Sequence, residues 1–174
     1  MDWHLIVLEV IDMRSFSSLW FWIAVAVIWS AASHRVMGVP FDMVTRARSQ
    51  GGQAEIDLDE LVRINANRML RGIDGAGLWL LALGCFVIVM LALLAFVYWI
   101  ELAQAVFLLG FPLTLVWLLT LRVASRIRAE GATGEVVQTR LGHLRIATQA
   151  IGMTSIFVTS LWGMYQNLSA GILG

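Results

Sequence analysis

The sequence predicts an all-α fold, a polytopic membrane protein with four transmembrane helices and interfacial amphipathic helices. Three observations carry this prediction. Hydrophobic residues make up 59% of the 174 residues, more than an ordinary soluble domain contains. Four apolar runs are each long enough to cross a hydrocarbon core of ~30 Å as a helix. Arginine is concentrated in two of the segments between them. The four runs are residues 17–33, 75–100, 104–121 and 146–168.

The placement of the arginines predicts the orientation. Eleven of the twelve arginines lie in loops 34–74 and 122–145. Because positively charged loops stay in the cytoplasm, both loops are predicted to be cytoplasmic. An even number of spans then places both termini in the periplasm. Residues 1–174 are therefore predicted to form a single four-helix transmembrane domain in a lipid bilayer. Met1–Met13, too short to span, is predicted to lie as a helix in the outer interface.

Aromatic residues and turns define the ends of the runs. Trp20 and Trp22 are predicted to anchor the first span at its outer end and Trp29 at its inner end. The second and third runs are separated only by Glu101–Ala103, which predicts an antiparallel helical hairpin. Pro112 interrupts the third run and is predicted to kink it, because proline removes a backbone hydrogen bond.

A second amphipathic helix is predicted on the cytoplasmic side, at Asp57–Arg71. Asp57 is the expected N-cap, and Asp59 with Arg63 forms an i,i+4 pair. This helix should lead into the second span through Gly72–Gly77. Apolar residues recur in it at helical spacing: Leu58, Leu61, Val62, Met69 and Leu70.

Composition excludes several kinds of chemistry. The chain has no lysine, so it offers neither a Schiff-base lysine nor a P-loop lysine. Its one cysteine, Cys85, cannot build a disulfide or an iron–sulfur site within the chain. The middle of every run lacks Asp, Glu, Arg and His, which argues against ion-coupled transport. We therefore expect no enzyme activity, no cofactor, no metal site and no nucleic-acid partner.

One pair of histidines leaves an alternative open. His34 and His143 fall at the predicted inner boundary, on the first and fourth helices. Both could face one haem, because histidine is the usual axial ligand. The competing interpretation is that two interfacial histidines merely lie at the same height. A b-type haem membrane protein is therefore a second alternative function.

The fourth run carries a stripe of small residues. Gly152, Ser155, Thr159 and Gly163 are spaced by three and four, which places them on one side of a helix. Small residues allow another helix to approach closely. The stripe is the predicted contact for a partner helix, with the bundle interior as the competing interpretation. The arginine-rich loops could also bind anionic lipid headgroups.

Three stretches carry a resemblance to a known family. They are SLWFWIAVAVIWSAASHRVMGVPFDM at 18–43, LVRINANRML at 61–70 and SIFVTSLWGMYQN at 155–167. In these the chain resembles an uncharacterised family of small four-span inner-membrane proteins of alphaproteobacteria. Members are sometimes named automatically as components of the Suf iron–sulfur assembly complex. The resemblance implies a multi-pass protein of the bacterial inner membrane and supplies no catalytic motif. A single cysteine gives the iron–sulfur label no support.

Taken together, these features predict a non-catalytic accessory, assembly or stabilising subunit of a larger inner-membrane complex, such as an energy-transducing one. Other membrane-protein subunits are then the expected partners. The first alternative is a small oligomeric transporter or channel. Its candidate site is the interruption at Gly110–Pro112, since transporters use broken helices to bind solutes.

Overall fold

The computed structural model describes Phe16 and residues 18–172, with side chains as far as residue 168. In this part of the chain the fold is all-α, as predicted, apart from one small β-hairpin. The elements in chain order are α1 (Leu19–His34), β1 (Arg35–Val36), β2 (Val39–Pro40), α2 (Phe41–Gln50), α3 (Gly52–Phe96), α4 (Glu101–Glu130) and α5 (Glu135–Ile172). The helix predicted at Met1–Met13 lies outside the described residues.

Two of these helices, α3 and α4, are long and apolar enough to cross a membrane. Helix α1 is apolar but has 16 residues, fewer than the ~20 that a span typically needs. Helix α5 is long, at 38 residues, and carries more polar side chains. Apolar, membrane-length helices are thus present at the second and third predicted runs. Four spans remain a prediction.

Helix α3 differs from the predicted boundaries at both ends. It is one helix of 45 residues, and the glycines at Gly72–Gly77 do not interrupt it. It begins at Gly52, so Asp57 is not an N-cap; its carboxylate accepts a hydrogen bond from Gln53 Nε2 at 2.8 Å. It ends at Phe96, and residues 97–100 form the turn before α4. The turn therefore precedes the predicted Glu101–Ala103.

The predicted ion pair between Asp59 and Arg63 is also wrong. Arg63 lies 3.8 Å from Glu60, one residue closer in sequence. The Asp59 carboxylate instead accepts a hydrogen bond from the backbone N–H of Gly134 at 2.8 Å. Asp59 thus holds the turn between α4 and α5 against α3, a long-range contact that spacing within one helix does not reveal.

A β-hairpin and α2 connect α1 to α3. The central residues of the hairpin turn, Met37 and Gly38, both have positive φ, 56° and 74°. Positive φ at both positions is what a type I′ hairpin turn requires. Methionine rarely adopts this conformation; here its side chain is buried in the core, which offsets the strain.

The densest packing lies at the end of the molecule that holds α2 and the hairpin, which we call the basal bundle. It comprises the hairpin, α2, residues 52–70 of α3, 124–130 of α4 and 135–144 of α5. Along α3 every fourth residue from Leu58 to Leu70 is buried, which places one face of the helix in the core. The buried core is Val36, Met37, Val39, Val44, Ala47, Leu58, Val62, Ala66, Leu70, Ala124, Ile127, Val137, Leu141 and Leu144.

The rest of the molecule, which we call the apolar half, contains α1 and residues 75–96, 101–121 and 146–168. Its far end is organised by Gln104, whose side chain is completely buried. Gln104 Nε2 donates to Ala95 O at 2.9 Å, in the last turn of α3. Its Oε1 accepts hydrogen bonds from Trp162 Nε1 at 2.9 Å and from Gln166 Nε2. One side chain thereby joins α3, α4 and α5, and its burial is offset by these bonds.

Helix α4 continues through Pro112. Proline has no N–H to donate to the carbonyl four residues earlier, which is that of Leu108. Ser155 Oγ of α5 donates to this carbonyl at 3.2 Å. The interruption in the backbone ladder of α4 is therefore satisfied from the neighbouring helix.

Candidate functional site

The small-residue stripe of α5 packs inside the chain. Gly152, Ser155, Thr159 and Gly163 are all buried. A Cβ added to Gly152 would lie 2.7 Å from the Trp29 ring, and one added to Gly163 would lie 3.3 Å from Phe16. The stripe thus receives α1, the segment before it, and α4 through Ser155. It exposes no side chain on which a partner helix could rest, and Trp29, predicted as an interfacial anchor, is buried against it.

The two candidate haem ligands are exposed and lie in different surroundings. His143 lines a pocket between α4 and α5 with Arg126 and Arg140, and His34 is not part of that pocket. His34 is the last residue of α1. Helix α1 packs on the side of α5 that carries Gln149 and Gly152. The pocket beside His143 is therefore not one in which a haem would also meet His34.

Charged groups do not assemble into a metal centre in the part of the chain that the structure describes: no three His, Cys, Asp or Glu side chains come together there. Cys85 is exposed on α3. The remaining candidate sites are the exposed surfaces of the bundle.

The most unusual of these surfaces lies on α3. Residues 78–87 are all exposed, ten in succession. Ten residues make almost three turns, so the helix is open on every side over this length. Only 6% of the most apolar window of α3 is buried, against 17% for α4. We call residues 78–87 the α3 surface.

The α3 surface is apolar, and small side chains lie at its centre. Leu78 and Trp79 at its start are each 80% exposed, and Phe86 near its end is 62% exposed. Between them lie Gly84, with nothing within 4 Å of an added Cβ, and Cys85. Such a surface can receive an apolar helix or lipid chains, because the backbone can be approached closely at a glycine. Residues 78–87 include no Asp, Glu, His, Lys or Arg.

A cleft lies beside the part of α3 that precedes the α3 surface. It has a volume of about 650 Å³ and lies between α3, α4 and α5. Ile73 of α3 and Leu118 and Leu121 of α4 line it, with Ile151 of α5. The cleft therefore leaves a gap between α3, α4 and α5 at Ile73, five residues before the α3 surface begins.

No protein-family model, curated protein or solved structure matches this chain. The family resemblance of the sequence stays a prediction.

Sequence reasoning did not identify the α3 surface. The sequence of an apolar run does not show whether its helix faces lipid, a partner or other helices of the same chain. The one signal within it was the adjacent small pair Gly84 and Cys85, in a run otherwise made of large apolar residues and alanine. Arg126 and Arg140 were counted among the arginines of a loop, although the structure brings them to one pocket.

Proposed function

We propose that this protein is a four-span inner-membrane protein that acts as a non-catalytic accessory subunit of a larger membrane complex. In this proposal it contacts a helix of its partner through the α3 surface. The observation that carries the proposal is the exposure of residues 78–87 on all sides of one helix.

Membrane insertion is supported by the amount of apolar surface left open. Leu78, Trp79 and Leu83 on α3, and Met153 and Phe157 on α5, are each at least 59% exposed. In water each exposed Å² of apolar surface costs ~25 cal/mol, and contiguous patches of this extent lead to association. In a bilayer the same surface is solvated by lipid.

The polar residues of α5 are compatible with a span. Thr148 Oγ1 donates to Leu144 O at 2.9 Å, and Thr159 Oγ1 donates to Ser155 O at 2.7 Å. Hydroxyls that return their hydrogen bonds to the helix's own backbone add little cost in lipid. With α1 packed along α5 through Trp29, four helices can cross together.

The proposed orientation places the basal bundle in the cytoplasm, because it holds most of the arginines. Impermeant thiol reagents on intact spheroplasts test it, in a Cys85→Ser background. Tyr98→Cys, at the exposed turn between α3 and α4, should label. Ser49→Cys, on exposed α2, should label only after lysis. The reverse pattern would overturn the orientation.

The way the chain holds itself together supports the proposed accessory role. The basal bundle has its own core, and Gln104 ties the far end of α3 to α4 and α5. The chain therefore keeps its fold while residues 78–87 remain available. An exposed stretch between two fixed ends suits a contact that is completed by another subunit.

Co-purification from native membranes in a mild detergent tests the proposal. Gly84→Leu adds a side chain where nothing of the same chain lies within 4 Å of the new Cβ. The fold should tolerate it, while close approach by a partner helix is blocked. Gly110→Leu, on α4 and also with open space at its Cβ, is the matched control.

Wild type and the Gly110→Leu control should each carry a companion protein, and Gly84→Leu should lose it while remaining inserted. A wild-type protein that migrates alone would contradict the accessory role. The small oligomeric transporter would then come first, with the cleft of about 420 Å³ beside Pro112 as its candidate site. A haem absorption band in the purified protein would favour the second alternative, with His34 and His143 as the residues to test.

A further inference from the structure

A cationic pocket lies where the apolar half meets the basal bundle, between α4 and α5. Its volume is about 250 Å³. Arg126, Arg140 and His143 supply its polar lining. Its apolar lining consists of Leu119, Val123, Leu144 and Ala147. The pocket thus combines hydrogen-bond donors with a hydrocarbon wall.

Its guanidinium groups have unused donors. Arg140 Nη2 pairs with the Glu130 carboxylate, but Arg140 Nη1 is buried and has no hydrogen-bond partner among the described residues. Arg126 is exposed and forms no ion pair within the described part of the chain. A buried donor without a partner is costly, and an anion in the pocket would accept from it.

The apolar lining continues away from the pocket along both helices. On α4 the successive lining residues are three or four positions apart in the sequence, from Arg126 through Leu119 to Leu108. The lining residues of α5 have the same spacing, from Arg140 through Ala147 to Val158. Such steps keep side chains on one side of a helix. The pocket and the cleft beside Pro112 therefore belong to one groove between α4 and α5. The cleft is lined almost entirely by apolar side chains, among them Phe111, Leu115 and Ile151.

We propose that this groove binds an anionic phospholipid, with its phosphate at Arg126, Arg140 and His143 and an acyl chain along α4 and α5. The phosphate chemistry alone would suit a free phosphate equally well. The adjoining apolar groove favours the lipid, because a free phosphate has no acyl chain to occupy it. The site rests on the proposed orientation, in which the pocket lies at the cytoplasmic boundary of the membrane, where anionic headgroups are found.

Purified full-length protein in mild detergent provides the test. Its unfolding midpoint is followed as phosphatidylglycerol, phosphatidylcholine or inorganic phosphate is added. Arg126→Gln with Arg140→Gln removes two charges from the pocket. Arg46→Gln with Arg48→Gln removes two exposed charges from α2 and is the matched control. Arg126→Gln with His143→Gln leaves the pair between Arg140 and Glu130 intact, in case loss of that pair unfolds the chain.

Wild type and control should bind phosphatidylglycerol about tenfold more tightly than phosphatidylcholine, and both pocket variants should lose this preference. Equal binding of the two lipids by wild type would overturn the proposal. So would a preference that survives in Arg126→Gln with His143→Gln, or inorganic phosphate displacing phosphatidylglycerol at equal concentration. This test uses chain that has been separated from any companion protein, so these outcomes are independent of the accessory role.

Discussion

Two regions of α3, residues 52–70 and residues 78–87, are packed in opposite ways although they belong to one uninterrupted helix. In the basal bundle Leu58 and Val62 are completely buried; two turns past Leu70, every residue of the α3 surface is exposed. Water drives the first arrangement, since burying apolar side chains removes them from it. Lipid is as apolar as leucine and supplies no such force. In the proposed membrane orientation, tight packing is therefore expected only where the chain must exclude water, and the exposed α3 surface is the place proposed for a partner.

The largest contrast comes from placing a charge in the basal bundle. Val62→Asp buries an unpaired carboxylate among apolar side chains and should cost ~3–5 kcal/mol or prevent folding. Ile64→Asp, two residues away and 54% exposed, should change stability by about 0.5 kcal/mol or less. Thermal unfolding in detergent compares them. Equal losses would mean that residues 52–70 do not form a one-sided core helix.

Truncating leucine compares the two regions of α3 directly. Leu58→Ala leaves a cavity in the basal core and should cost ~2–5 kcal/mol. Leu83→Ala, on the same helix but 59% exposed, should cost less than about 0.5 kcal/mol in purified protein. Both changes favour helix to the same degree, so the difference in unfolding midpoint reports packing alone. A large loss for Leu83→Ala would show that the α3 surface is covered by this chain.

Contact between α1 and α5 should be sensitive to a single methyl group. Gly152→Ala places a Cβ 2.7 Å from the Trp29 ring, which must move, so we expect a loss of ~1–3 kcal/mol. Gly142→Ala, on the same helix with nothing within 4 Å, should be neutral or stabilising by up to about 1 kcal/mol. If Gly152→Ala unfolds at the wild-type temperature but loses a companion protein, the stripe is a partner contact after all.

A smaller effect is expected where α5 supports the proline of α4. Ser155→Ala removes the hydrogen bond to the Leu108 carbonyl and should cost about 1 kcal/mol. Ser160→Ala removes only a bond to the backbone of its own helix, at Ile156, and should cost less than about 0.5 kcal/mol. Unfolding curves of equal midpoint would show that another donor satisfies Leu108.

Periodicity predicted the parts of the fold that depend on local sequence. Leu58, Val62 and Leu70 recur at helical spacing, and the structure buries all three. The last helix begins at Glu135, directly after Gly134, whose positive φ turns the chain. A β-hairpin with strands of two residues has no period to detect, and its Met37–Gly38 turn lacks the asparagine that usually marks one.

Which neighbour a helix face meets could not be predicted. The stripe from Gly152 to Gly163 indicates close helix contact, but the same small residues serve an internal helix and a partner equally. The residue pattern of the apolar run at 75–100 likewise does not show whether the helix packs within the chain, faces lipid or contacts another subunit. The contacts of Arg126 and Arg140 depend on the register between α4 and α5, which lies beyond any local pattern.

The most direct test of the account is photo-crosslinking along the α3 surface in native membranes. A benzophenone amino acid would be placed in turn at each position from 78 to 87. We expect adducts with one companion protein at positions three or four apart, which is the pattern of a helix contacting a helix on one side. The absence of any protein adduct at all ten positions, or adducts only between copies of this chain, would contradict the account.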